Sequence, residues 1–406
     1  MEAEAKILTS RLKGAQSPRQ FFPILEEALD GEMFDDFHAS VAYHSLATWK
    51  RNGKLQASDR SNPILAKLNR RFQAMLGKGQ VSARAFANVL WSVAHLSNVL
   101  MDAQSVSNSF WAAATLKEAA PDALKLVPTL AARAPMIAKD MNAQELSNSF
   151  WAAATLREAA PDALKMVPTL AARVTIIAKD MNAQAVSNSL WAAGTLKEAA
   201  PDVLKMVPTL AAQVPLIAKD MNARATSNSL WAAATSKEAA PDVLKMVPTL
   251  ANQLPGILKH MNAQDVSNTL VALVLLQGSV PKVDALILQH NFAMKAAKQF
   301  AKHAPKMEDA DLHLAVPSVV WACAKVGVHH DELLTAVSQL FGSRKKCSKL
   351  NDWSVCALRW SYQVSDPEKR FKDFAKTLKT VIRSRGLSES DVQNSQHGPS
   401  HFYSTR

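Results

Sequence analysis

The ten residues SNSFWAAATL stand at 107–116 and again, unchanged, at 147–156. They return as SNSLWAAGTL at 187–196 and SNSLWAAATS at 227–236, and decay to SNTLVALVLL at 267–276. The copies open at Met101, Met141, Met181, Met221 and Met261, a period of 40 residues. Between 141–180 and 181–220, 31 of 40 positions are identical. A fixed period of this size restricts the chain to a solenoid or a propeller. The copies carry no alternating strand pattern, and the chain has only 12 glycines to make tight turns. Alanine and leucine, both strong helix formers, dominate instead. The expected fold is therefore all-α: a right-handed α-solenoid of stacked helix pairs.

One copy divides into two helices. Around Phe150, the residues Ala143, Leu146, Ala153 and Ala154 fall on one side at 100° per residue and form a core stripe. Trp151 lies at its border, and Gln144, Glu145, Asn148 and Thr155 lie opposite. This predicts a first helix over about 142–158. Pro161 and Asp162 suit the start of a second helix. Pro168 follows too soon for a continuous helix, because it lacks a donor and clashes with the preceding turn. The second helix is therefore expected to be kinked or split there. One such pair cannot cover its own apolar face, whereas stacked pairs can.

The same apolar-apolar-Trp order recurs in FANVLWSVAHL (86–96), VPSVVWACAKVG (316–327) and VCALRWSYQV (355–364). These extend the repeats beyond the near-identical block. The organisation expected is divergent N-terminal helical repeats over 1–80 and Trp-containing repeats over 81–280, closest to identity from 101 to 260. Divergent repeats would follow over 281–365, then a basic helix over 366–387 and a disordered tail over 388–406.

Seven tryptophans occupy the motif position: Trp91, Trp111, Trp151, Trp191, Trp231, Trp321 and Trp360. The reading taken for them is a structural repeat core, where truncating a large aromatic is costly; base stacking is the alternative. The polar stripe beside them has two readings as well. Repeated Asn side chains can ladder neighbouring backbones. They can also present donors and acceptors matched to base edges. On the second reading the base-facing residues are Gln104, Ser105 and Asn108; Gln144, Glu145 and Asn148; Gln184, Ala185 and Asn188; Arg224, Ala225 and Asn228; Gln264, Asp265 and Asn268.

The net charge is +12, and residues 1–100, 101–260 and 261–406 carry +4, +2 and +6 of it. The excess concentrates in two stretches. KAAKQFAKHAPK (295–306) contains Lys295, Lys298 and Lys302. KRFKDFAKTLKTVIRSR (369–385) contains Lys369, Arg370, Lys372, Lys376, Lys379, Arg383 and Arg385. Clusters like these attract phosphate backbones, or they are solvated helix faces.

Several functions lose support at this level. Cys323, Cys347 and Cys356 show no paired spacing, which implies reduced thiols and no metal site. The HHDE cluster at 329–332 reads as a helix start. No Walker loop, GxSxG or HExxH appears, so neither an enzyme nor a cofactor is expected. No apolar run reaches a membrane span. The first residues, MEAEAKILTSRLKGAQ, carry Glu2 and Glu4 and lack the acid-poor character of transit peptides.

FANVLWSVAHL and VVWACAKVG resemble the octatricopeptide repeat, a motif of about this length with a Leu-Trp-Ala core on the first of two helices. SLATWKRNGK (45–54), after FFPILEEALD, is similar to the opening repeat of such proteins. The resemblance covers roughly residues 20–365, and FAST-kinase-like organellar proteins share the helical design. It implies binding of single-stranded RNA in mitochondria or chloroplasts, with effects on transcript stability, processing or translation. No RAP domain is recognisable, so no nuclease activity is implied. A protein-protein interaction scaffold of the armadillo or HEAT kind is the alternative function, with other proteins as partners; without a clear transit peptide, a cytoplasmic location is the alternative to an organelle.

Overall fold

The computed structural model describes residues 2–82, 84–86, 88, 89, 92, 96, 102–118, 121–289, 291–303, 309–366 and 369–398. Among them the fold is an all-α helical-repeat solenoid, with no strand. The helices are α1 (Glu2–Gly14), α2 (Pro18–Ala28), α3 (Asp36–Arg51), α4 (Ala57–Arg60), α5 (Pro63–Gly77), α6 (Ala103–Thr115) and α7 (Val127–Ile137). Then come α8 (Ala143–Leu156), α9 (Val167–Ile177), α10 (Ala183–Leu196), α11 (Val207–Ile217), α12 (Ala223–Ser236) and α13 (Val247–Ile257). The divergent part holds α14 (Ala263–Leu276), α15 (Pro281–Gln289), α16 (Phe292–His303), α17 (Asp309–Lys325) and α18 (Asp331–Leu340). The chain ends with α19 (Arg344–Cys347), α20 (Asp352–Ser365), α21 (Lys372–Ser384) and α22 (Glu389–Asn394). It divides into two compact units, Met1–Arg173 and Val174–Arg406.

The repeat boundaries follow from capping. Asn142, Asn182, Asn222 and Asn262 have extended backbones, and each accepts the amide of the third helical residue at 2.8–2.9 Å. Asp102 and Asn351 do the same for α6 and α20. Such caps satisfy one of the orphan amides of a helix start. The residue before each Asn in the near-identical copies, Met141, Met181, Met221 or Met261, is buried. That is the place of a hydrophobic staple.

The second helix is split rather than kinked. Pro161, Pro201 and Pro241 each open a six-residue 3-10 helix, and the α-helix restarts at Val167, Val207 and Val247. Pro208 and Pro248 thereby fall in the first turn of α11 and α13, where a missing N–H costs nothing.

In the N-terminal unit α1, α2, α3 and α5 pack around Phe21, Trp49, Tyr43 and Phe72; Phe21 meets Trp49 edge-on at 5.1 Å. The first helices α6 and α8 then pack side by side. In the C-terminal unit α10, α12, α14, α17 and α20 stack in sequence order as one layer. The second layer pairs α13 with α15, α16 with α18 and α19 with α21.

The basic segment 366–387 contains the helix α21, which packs on α20 through buried Phe374, Leu378, Val381 and Ile382. One expectation for the C-terminus changes. The tail expected to be disordered from 388 onward is helical over Glu389–Asn394, with Val392 fully buried, and it packs on α20. A single apolar side chain at the right place in a capped turn was enough; Ser388 caps it by accepting the Asp391 amide. Residues 399–406 lie outside the described residues. Among the described residues no helix is long and apolar enough to cross a membrane.

Candidate nucleic-acid interface

On a helix, positions i, i+4, i+7 and i+11 share one face. In α6 these are Gln104, Asn108, Trp111 and Thr115; in α8 they are Gln144, Asn148, Trp151 and Thr155. Gln104 and Gln144 are exposed, and Asn108 and Asn148 are half-buried. In the C-terminal unit the same face carries exposed Gln184 and Arg224 and half-buried Gln264, Asn188, Asn228 and Asn268. The threonine hydroxyls of Thr115, Thr155, Thr195 and Thr235 donate back to the carbonyl of the tryptophan four residues earlier, at 2.9 Å.

The tryptophans of these copies stand at the border of the core and pack against their neighbours in the next repeat, so the structural reading holds for them as inter-repeat packing and not as core filling. Phe110, Phe150, Leu190 and Leu230 fill the core, all fully buried. Trp111 is 41% exposed, and Trp151, Trp191 and Trp231 are half-buried. Neighbouring rings stand in pairs: Trp111 and Trp151 have centroids 6.5 Å apart at 35°, and Trp191 and Trp231 6.5 Å apart at 36°. Trp321 and Trp360 are buried, so the core reading holds for those two. Trp91 lies outside the described residues.

The residue after each Gln or Arg does not belong to the face. Ser105, Ala185, Ala225 and Asp265 are buried, one step of 100° around the helix, against neighbouring elements. Ser105 accepts from Asn69 Nδ2 at 2.9 Å. Glu145 is half-buried, and its carboxylate accepts the Asn142 amide at 2.9 Å in a capping box. The varied residues at this position are therefore packing and capping residues, which removes them from any base-reading set.

The inter-repeat ladder exists, but serine makes it. Ser107 Oγ donates to the Glu145 carbonyl at 2.9 Å. Ser227 donates to Asp265 Oδ1, Ser267 to the Ala315 carbonyl and Ser354 to the His313 carbonyl. Ser147 and Ser187 instead donate to the Gln144 and Gln184 carbonyls of their own helices, both at 3.0 Å. A second link was missed in the sequence. Lys197 Nζ donates to the Thr235 carbonyl at 2.7 Å, and Lys237 Nζ to the Leu275 carbonyl at 2.6 Å. These cations bind the orphan carbonyls ending the next first helix, where the helix dipole favours them. Each also pairs with the acid that follows it, Glu198 at 3.5 Å and Glu238 at 4.0 Å, so this edge carries ion pairs and not a net positive charge.

The face has a counterpart at the N-terminal end. Phe37, Val41, His44 and Thr48 keep the same spacing on α3, and they line a cleft of about 610 Å³ with Lys13, Trp49 and Asn88. Lys13 Nζ sits 5.3 Å from the Phe37 ring centre.

The basic residues separate into two kinds. Lys295, Lys298 and Lys302 are exposed along one side of α16. Lys369, Lys372, Lys376, Lys379 and Arg383 are exposed on and before α21. Arg370 instead makes a bidentate pair with Asp331 at 2.8 and 2.9 Å, which holds the Asp331 carboxyl below its ordinary range. Arg385 binds Asp352 Oδ1 at 2.7 Å and the carbonyls of Ser348 and Leu350 at 2.9 and 2.8 Å. These two arginines are structural staples. Exposed Arg344, Lys345 and Lys346 on α19, which packs against α21, enlarge the patch; the run SRKKCSK was the available signal.

The three cysteines are held as thiols. Burial raises the thiols of Cys323 and Cys356 to about 12 and that of Cys347 to about 11. His330 caps α18 by accepting the Leu333 amide, the helix start expected for HHDE. Asp265 is held above the ordinary carboxylate range, first by burial, against the pull of the Asn262 amide, Ser227 and Arg224. A raised carboxyl favours the folded state at low pH and costs stability once pH climbs through its folded value. Asp265→Asn is therefore expected to raise the melting temperature at neutral pH. The gain should shrink as pH falls towards 3.8, the unfolded value, in thermal scans at several pH values.

No protein-family model matches this sequence, and no curated protein matches it.

Proposed function

We propose that this chain binds single-stranded RNA, with each unit using the Trp face of its first helices. One observation carries the reading. An indole that could have been buried stands half-exposed beside an Asn three residues before it and a Gln or Arg seven before it, copy after copy. Aromatic faces stack on any base, and amides match the edges of unpaired bases. The α16 and α21 patches supply attraction for phosphates independent of sequence. The resemblance to octatricopeptide repeats supports a place in mitochondrial or chloroplast RNA metabolism, at the level of transcript stability, processing or translation.

A second reading, a protein-binding scaffold, draws on different side chains in each unit. Met136, Ile176 and Leu216 are 68%, 71% and 75% exposed at one position of the second helices. Fluorescence anisotropy with single-stranded RNAs of different composition, across a salt series, separates the two. Asn108, Asn148, Asn188 and Asn228 all changed to Ala should weaken the preferred RNA by about tenfold, or ~1.4 kcal/mol, and flatten the preference among compositions. RNA affinity that ignores both composition and these four residues sinks the base-reading proposal and favours the scaffold.

A further inference from the structure

The Trp face does not continue open to the end of the C-terminal unit. Gly398 lies directly against the six-membered ring of Trp321. A Cβ built on it would stand 3.0 Å from two carbons of that ring and 3.3 Å from Leu275 Cδ2. Leu275 occupies the position of Thr195 and Thr235 in its repeat, and Trp321 that of Trp191 and Trp231. The segment reaches this point from α22, which packs on α20, where Gln363 donates to Glu389 at 3.0 Å. Residues Ser388–Gly398 thus lie across α20, Trp321 and the end of α14, on positions that bear the open face in α10 and α12.

The cover is lightly held. Val392 is the segment's one apolar side chain; it and Ser395 are fully buried, and α22 spans six residues. Trp321, 1% exposed, has its indole N–H buried with no hydrogen-bond acceptor. Gly398 itself has φ +99°, a conformation reserved for glycine.

We propose that Ser388–Gly398 is a displaceable cover that competes with RNA for the C-terminal end of the Trp face. This rests on the RNA reading above. Two full-length variants open it differently. Gly398→Ala adds one methyl group against Trp321, and Val392→Asp removes the anchor. Hydrogen exchange of the 388–398 amides and anisotropy with a mixed-sequence single-stranded RNA are measured on both variants and on the native chain. Expected are faster exchange in both variants, a severalfold lower Kd for each, and faster exchange of the native segment when RNA is added. Faster exchange with an unchanged Kd overturns the cover and leaves RNA binding standing. Unchanged exchange in both variants overturns it as well, since the contacts then do not hold the segment. Binding by none of the three proteins overturns the cover and the RNA reading together.

Discussion

Phe150→Ala is expected to destabilise the N-terminal unit by about 3–5 kcal/mol, while Trp151→Ala, one residue away, should cost only about 1–2 kcal/mol at ~25 cal/mol per Å² of apolar area. The difference comes from placement. Phe150 is fully buried between the layers, so truncation leaves a cavity whose lining loses its contacts. Trp151 is half-buried, so water replaces much of what is removed. RNA affinity should rank the two variants the other way. Losing one stacking indole costs about 1–3 kcal/mol of binding, and Phe150 contributes no stacking surface. Urea denaturation followed by circular dichroism, with anisotropy on the folded variants, reads both quantities. Should Trp151→Ala prove as destabilising as Phe150→Ala and leave RNA affinity intact, the tryptophan is packing after all and the interface loses its main support. Repeat arrays can unfold in steps, so midpoints of the N-terminal unit are the comparison to make.

The period, the all-helical class and a break at the second proline are legible from sequence, because each rests on a local rule; the Asn caps rest on one too, but were missed in the sequence. Backbone donors at a helix start, the fixed φ of proline and the 3.6-residue period do not depend on distant partners. What fails is assignment within a motif. At 100° per residue Trp151 falls on the border between core and solvent, and hydropathy alone pulls it inward. The structure puts it outward because Ser107 and the small residues beside it draw neighbouring first helices together, and Phe150 already fills the centre. The SNS tripeptide shows the same limit. Ser and Asn are both able to ladder, and only the helix phase relative to the neighbouring repeat decides that Ser107 donates to the Glu145 carbonyl. Charge is the least legible of all. Arg370 and Arg385 look the same as Lys376 in the sequence; Arg370 has a near partner in Asp366, but the acids they bind most closely lie 39 and 33 residues back.

That division of the basic residues gives the second large expectation. Changing Lys372, Lys376, Lys379 and Arg383 together to Gln should leave the melting temperature nearly unchanged, because all four are exposed and the buried face of α21 is untouched. It should strongly weaken RNA binding at low salt. Each phosphate contact on a single strand contributes about 0.7 to the slope of log affinity against log salt, so full engagement of all four predicts a slope shallower by roughly 2.8. Arg385→Ala should behave in the opposite sense. It removes one charged pair and two bonds to the carbonyls of Ser348 and Leu350, which join α21 to α19 and α20. Hydrogen bonds to charged groups are worth about 1.5–3 kcal/mol, and partial exposure of both partners places the loss at the low end of that range. The salt slope should stay as it was. An unchanged slope in the fourfold variant would remove α21 from the phosphate surface and leave Arg344, Lys345 and Lys346 as the cations to test next. A slope that falls with Arg385→Ala alone, at full stability, would mean that the arginine leaves Asp352 for RNA and that the staple is part of the binding surface.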